Sequence, residues 1–154
     1  MSVLPGYANM ILDRDDAGYP AETTIAASDT ATKAAGVTKS GGITARLFTV
    51  STNNRVTCTS EVPMAVAVFA NVSATAAGNN ELIGIGFLKN GSAASSDIER
   101  FVSVGADRGA IGDCWITTMD TDDYIELYVI NSTSTDNITL YNAHVCLLAV
   151  PIAS

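Results

Sequence analysis

The chain has 154 residues, 47% of them hydrophobic and 16% charged, with a formal net charge of −8. That length suits one domain with a sizeable core, and the apolar share excludes wholesale disorder. The basic residues Arg14, Lys33, Lys39, Arg46, Arg55, Lys89, Arg100 and Arg108 are scattered. No nucleic-acid partner is therefore expected, because such binding needs clustered cations to release counterions.

The charged share lies below the usual quarter, so Ser, Thr, Asn and Gly must make up most of the polar surface. Such a surface suits packing against other proteins, since desolvating a hydroxyl costs less than desolvating an ion. The opening Met-Ser-Val-Leu-Pro-Gly-Tyr has no basic n-region, and Asp13, Arg14, Asp15 and Asp16 interrupt any apolar stretch. No signal peptide is expected. No apolar run approaches the ~20 residues of a membrane span, so no membrane partner is expected.

Residues 1–42 carry Pro5, Gly6, Gly18, Pro20, an acidic cluster and Ala/Thr-rich text ending in Ser40-Gly41-Gly42. Their periodicity is weak and large apolar residues are few. The segment reads as an extended N-terminal arm with a short extended piece near 23–27, either disordered or ordered by lying on a partner. A β domain then spans 43–154. Its first strands are expected at 43–50, at 55–59 with Val56 and Cys58 on one face, and at 63–72. In 81–89, Ile83, Ile85 and Phe87 share one face and Gly84 and Gly86 the other, which invites close backbone approach or a bulge. Asn90-Gly91 is a hairpin signal. Further strands are expected at 98–104, 111–119, 123–130 and 137–150. Ile125, Leu127 and Val129 alternate with Tyr124, Glu126 and Tyr128, the period of a half-buried strand.

About eight strands separated by turn signals predict an all-β sandwich or barrel. The last strand is apolar on both faces. Ile138, Leu140, His144, Cys146, Leu148 and Val150 fall on one side, and Tyr141, Val145, Leu147 and Ala149 on the other. A two-layer sandwich buries one of these. The other is expected to meet another subunit, the alternative being the chain's own arm.

These residues suggest a family. Phe87-Leu88-Lys89-Asn90-Gly91-Ser92 resembles the hairpin of C1q/TNF-like jelly rolls in bacteriophage virion structural proteins, of the capsid-decoration and head-fibre type. Asp123-Tyr124-Ile125-Glu126-Leu127-Tyr128-Val129 is similar to their Asp-Tyr strand, although Thr121 and Asp122 stand where glycine is common. Residues 137–150 resemble their closing strand. The resemblance covers roughly residues 43–152. It implies an eight-stranded jelly-roll sandwich that assembles as a homotrimer, a virion role, and no catalytic residues.

The single histidine, His144, lies mid-strand among apolar residues and reads as a structural or interface side chain. Cys146 is two residues away on the same face, a weak pairing for nucleophilic chemistry without an orienting group. Three copies of His144 near a three-fold axis would offer an anion, water or metal site. Cys58, Cys114 and Cys146 are odd in number and lack paired metal spacing, so they read as buried small hydrophobes from a reducing compartment. Asp120, Asp122 and Asp123, like Asp13, Asp15 and Asp16, lack the Gly and distal Glu of a calcium loop and read as turns. The Asn-X-Ser/Thr matches at 71, 90, 131 and 137 read as turn chemistry. Trp115, Tyr124, Tyr128 and Tyr141 read as subunit contacts, with a carbohydrate platform as the other reading. There is no phosphate-binding or dinucleotide fingerprint. No cofactor, metal or catalytic residue is expected.

The expected function is that of a homotrimeric capsid decoration (cement) protein of a tailed phage, stabilising the head. It would be made in the host cytoplasm and placed on the capsid surface, with itself and the major capsid protein as partners. Tyr124, Tyr128, Tyr141, His144 and Leu148 are the expected trimer contacts, and Leu4, Pro5, Tyr7, Met10 and Ile11 the capsid-contacting residues of the arm. A chain of this length that opens on Met and carries one domain plus an arm is expected to be complete, which favours decoration over a fibre tip. The alternative is a head-fibre or tail-fibre module recognising host-surface glycan. An enzyme, such as a small depolymerase, would need paired carboxylates. Glu81, Glu99 and Glu126 show no sign of pairing.

Overall fold

A computed structural model describes residues 4–42, 44–95 and 97–152. Ile43, where the sequence would begin the β domain, lies outside the described residues. Among those described there are thirteen strands and no helix. They are β1 (Gly6–Leu12), β2 (Ala21–Thr23), β3 (Thr32–Lys33), β4 (Thr38–Ser40), β5 (Phe48–Ser51), β6 (Arg55–Cys58), β7 (Met64–Ala76), β8 (Glu81–Lys89), β9 (Ser92–Ala93), β10 (Ile98–Val102), β11 (Gly109–Met119), β12 (Tyr124–Asn131) and β13 (Ile138–Pro151). They form two antiparallel sheets. The first runs β11-β7-β13-β1-β4, with β2 added to β13. The second runs β10-β8-β12-β6-β5, with β3 added to β12 and β9 to β8. From β7 onward each long connection crosses between sheets, which gives the jelly-roll sandwich read from the sequence.

Alternation builds the core. Val66, Val68 and Val72 of β7 and Val145 and Leu147 of β13 face Ile83, Ile85 and Phe87 of β8 and Ile125, Leu127 and Val129 of β12, all buried. Each such side chain contributes about 1.5–3 kcal/mol on leaving water. Phe87 stacks on Trp115 with ring centroids 6.2 Å apart, closing the core beneath β11. Trp115 is therefore committed inward and is no sugar platform.

The leader differs from the expectation of an arm. Strand β1 lies between β13 and β4, with Gly6 opposite Ala149 and Met10 opposite Val145. It buries Ala8, Met10 and Leu12, and the leader adds Ala21, Ile25 and Ala34 to the same core. Met10, expected at a capsid contact, is 2% exposed. The alternation at 6–12 is a true strand period, but its first inward positions, Gly6 and Ala8, are small and a search for large apolar residues passes over them. A clamp of charge also fixes the leader to the second sheet. Glu126, with a nearly buried side chain, accepts Lys33 Nζ at 2.5 Å and Arg55 Nη2 at 2.9 Å. Breaking one arm of such a buried group is costly because the remaining charge stays desolvated.

The last strand also departs from its predicted faces. A bulge between Leu140 and Asn142 shifts the pairing with β7. An extra residue on one strand moves the residues beyond it to the opposite face. Ile138 and Leu140 consequently point inward with Val145, Leu147 and Ala149, while His144, Cys146, Leu148 and Val150 point outward.

The Asn90-Gly91 signal is met by a hairpin with both φ angles positive, 52° and 80°, the geometry such a turn requires. The two strand glycines accept side chains from β12. A Cβ on Gly86 would come within 2.5 Å of the Tyr128 ring, and one on Gly84 within 2.9 Å of Ile130. Gly86→Ala is expected to lower stability by about 1–3 kcal/mol through overpacking, read as a reduced urea midpoint. Removing residues 1–42 is expected to abolish the cooperative unfolding transition by circular dichroism, because it strips β1–β4 from both sheets. An arm would come off with the transition intact.

Candidate functional site

One face of the first sheet is left open. Register places its outward side chains in rows across the strands. Tyr7 pairs Leu148, Leu148 pairs Ala67 and Ala67 pairs Ile116. Beside that row, Val150 pairs Ala65 and Ala65 pairs Thr118. The next row is Asn9, Cys146, Phe69 and Cys114, and the next Ile11, His144, Asn71 and Gly112. Ile116 is 78% exposed, Leu148 59%, Val150 54% and Phe69 46%. Single exposed apolar side chains are ordinary, but a contiguous grid of them marks an interaction surface. Among the described residues the leader does not cover this grid, because β1 extends the sheet edge to edge.

The grid grades from apolar at the Val150 end to polar at the His144 end. There the His144 Nε2 contacts Asn9 Oδ1, whose Nδ2 donates to the Gly41 carbonyl at 2.9 Å. Cys146 Sγ lies 3.4 Å from His144 Nε2 and 3.7 Å from Asn9 Oδ1. The three residue types are those of a cysteine-protease triad, but the arrangement is not. One ring nitrogen faces both neighbours, whereas a relay needs one nitrogen for the thiol and the other for the orienting group. Burial pushes the Cys146 thiol up, away from the thiolate a nucleophile needs.

Of the expected trimer contacts, His144 and Leu148 lie on the open face, Tyr124 and Tyr128 belong to the second sheet, and Tyr141 is half-buried at the bulge of β13. Strands β12 and β13 belong to different sheets, so proximity in sequence does not bring their aromatics together. Tyr128 is 2% exposed on the far side of the sandwich, clustered with Leu88 and Ile130. Tyr124 lies under the Arg55 guanidinium, 3.8 Å from the ring centroid, and Tyr141 under that of Arg108, at 3.6 Å. Of the expected capsid contacts, Tyr7 and Ile11 take outward places on the grid beside buried Met10, and Leu4 and Pro5 are exposed ahead of β1. Sequence reasoning missed Ile116, although its alternation with Trp115 was available, because the tryptophan drew attention to the wrong face. Of the cysteines only Cys58 is buried; Cys114 is exposed on the grid and Cys146 half-buried there.

The acidic turn is engaged internally. Asp123 is pushed up by burial, but the Asn90 amide, the Asp120 backbone N–H and Lys89 outweigh this and hold it at about 2. Asn131 accepts from the N–H groups of Thr133 and Ser134, and Asn137 from that of Ile25, as turn residues do. Glu81 accepts from Ser134, Glu99 from Ser132 and Glu126 from Lys33 and Arg55, so each candidate acid has its own separate partners. Among the described residues no three His, Cys, Asp or Glu side chains cluster as a metal site, and no helix is long and apolar enough to cross a membrane.

No protein-family model and no curated protein matches the sequence. Solved structures do match in shape. An Eiger TNF from S. frugiperda aligns with a TM-score of 0.59 at 10% identity, over 98% of this chain and 96% of that one. Murine APRIL aligns with a TM-score of 0.59 at 7% identity, over 96% and 100%. The PRD1 vertex protein P5 aligns with a TM-score of 0.50 at 13% identity, over 96% and 97%. At such identities the likeness shows the fold, a TNF-like jelly roll.

Asp113 offers a pH test. Its Oδ2 is buried and finds no hydrogen-bond partner among the described residues, and burial, reinforced by Asp97, pushes its carboxyl up. A raised carboxyl penalises the fold once it ionises. The penalty enters as pH rises past the unfolded value of about 3.9 and is full above the folded value. Asp113→Asn is expected to raise the melting temperature at about pH 7 and to leave it unchanged at about pH 3. An equal effect at both would assign the change to something other than charge.

Proposed function

We propose that this chain is a non-catalytic phage virion structural protein, a homotrimeric capsid decoration protein placed on the head surface to stabilise it. The observation that carries the reading is the uncovered apolar grid of Tyr7, Phe69, Ile116, Leu148 and Val150. A stable contact requires on the order of 1,000 Å² with a desolvated centre. A sheet face four strands wide, with a weakly charged rim, suits a second copy of the chain.

A ring, unlike a two-fold dimer, needs a second and different surface, and the edge strand β10 offers exposed apolar side chains for one. Ile98, Phe101 and Val104 are exposed along β10 and the turn after it, on the edge of the other sheet. One self-complementary patch makes a dimer. Two different patches that fit each other make a closed ring when the rotation permits. The sequence resemblance to C1q/TNF-like virion proteins supports three as the number, and the fold likeness to the PRD1 vertex protein P5 agrees with a virion setting. With residues 6–40 built into the sandwich, capsid attachment falls to surfaces outside the grid. Contact with several capsid subunits at once raises avidity without strong single contacts.

Light scattering of the purified protein is expected to give the mass of three chains. Leu148→Asp and Ile116→Asp are expected to give single chains with an unchanged circular dichroism spectrum, since both side chains are already exposed. A single-chain wild type would remove the assembly. Co-sedimentation with empty capsids is expected to be stoichiometric. Binding to host cells with no binding to capsids would replace decoration by receptor recognition.

A further inference from the structure

We propose that His144 and Cys146 form a transition-metal half-site of the zinc class on the open face of the first sheet, with Asn9 as the neighbouring oxygen donor. The two ligands sit at i and i+2 on β13, so both leave the strand on the same side. Pairing with β1 on one flank and β7 on the other holds that stretch rigid. The separation of the donor atoms is the main argument. Zinc takes sulfur at about 2.3 Å and imidazole nitrogen at about 2.0–2.1 Å in tetrahedral sites, which sets the ligand atoms about 3.5 Å apart. Here Sγ and Nε2 are 3.4 Å apart with no rearrangement.

Asn9 completes the geometry from a strand far away in sequence. Its amide nitrogen is tied to the Gly41 carbonyl, so its oxygen is aimed at the pair. In the metal-free state the imidazole N–H donates to that oxygen. On binding, the ring takes its Nδ1–H tautomer, the Nε2 proton passing to Nδ1 through solvent, so that Nε2 offers its lone pair to the metal, and the amide eases back to the ordinary spacing of a third ligand. The thiol loses its proton as the sulfur–metal bond forms, so binding one divalent ion releases one proton to solvent. Thiolate and imidazole select the zinc class over calcium or magnesium. His144 is exposed, and the remaining positions open outward to water or to a second copy. Of the charges beside the histidine, Lys39, across Ile11, is engaged by Asp13 and Asp15, while Arg14 lines the same cleft. The half-site lies within one chain and does not depend on the assembly.

Cobalt(II) is the probe, because a thiolate–cobalt bond adds an absorption band that water or carboxylate ligands do not. Titration of the reduced, full-length protein is expected to give that band at one ion per chain or fewer, displaced by zinc(II). Cys114→Ser, which removes the other thiol of the same face, is expected to keep it. Cys146→Ser is expected to abolish it, and His144→Ala to weaken binding about tenfold or more, with folds checked by circular dichroism. No band in the wild type, a band surviving in Cys146→Ser, or full affinity in His144→Ala would each overturn the site.

Discussion

The register of β13 governs the molecule. This strand sits at the centre of the first sheet, with β7 on one side and β1 and β2 on the other. A slip by one residue would exchange every inward and outward side chain. Val145, Leu147 and Ala149 would go to solvent, and His144, Cys146, Leu148 and Val150 into the core. The bulge at Leu140/Asn142 sets this choice for the second half of the strand while keeping Ile138 and Leu140 inward in the first. The apolar grid, the polar row and the metal half-site all inherit their orientation from that single irregularity.

Holding the register requires a partner on the far side of β13, and the leader supplies it. Strand β1 pairs with β13 over six positions, from Gly6–Ala149 to Ile11–His144. Its continuation reaches the second sheet, where Lys33 and Arg55 converge on Glu126. The two cations come from segments on either side of β4 and β5, so the carboxylate ties the leader, β6 and β12 together. Without this return connection β1 would be free to fray, and Asn9 would leave the His144–Cys146 pair.

Much of the fold was legible because period two survives in single sequences. Met64, Val66 and Val68, then Ile83, Ile85 and Phe87, then Ile125, Leu127 and Val129 each declared a strand and its inward face. The leader was not legible. Its inward residues Gly6 and Ala8 carry little hydrophobic signal, and what makes them core is a neighbour more than a hundred residues away. Alternation also gives the side of a strand and not its sheet, which is why Tyr124 and Tyr128 were grouped with His144 although β12 and β13 lie in opposite layers. The His144–Cys146 pair could be read at spacing two. Its third member could not, since Asn9 lies 135 positions from His144.

The open face bears on why the chain carries so few charges. Among the described residues β11 pairs only with β7, so one edge of its eleven residues is free. Exposed edges and apolar faces invite uncontrolled pairing, and proteins blunt them with Lys, Pro or inward charge. Strand β11 carries no Lys or Pro, and its outward positions are Ala110, Gly112, Cys114, Ile116 and Thr118. Its one charge, Asp113, points away from the grid with a buried oxygen that finds no partner among the described residues. A surface kept this free of protection is tolerable where a specific occupant covers it. The net charge of −8, nearly all of it outside this strand, would help to keep the proposed assembly in solution. In the proposed assembly, apolar residues would supply the adhesion, and the cluster of Asn9, Cys146 and His144 would supply the directional contacts that a purely apolar face lacks.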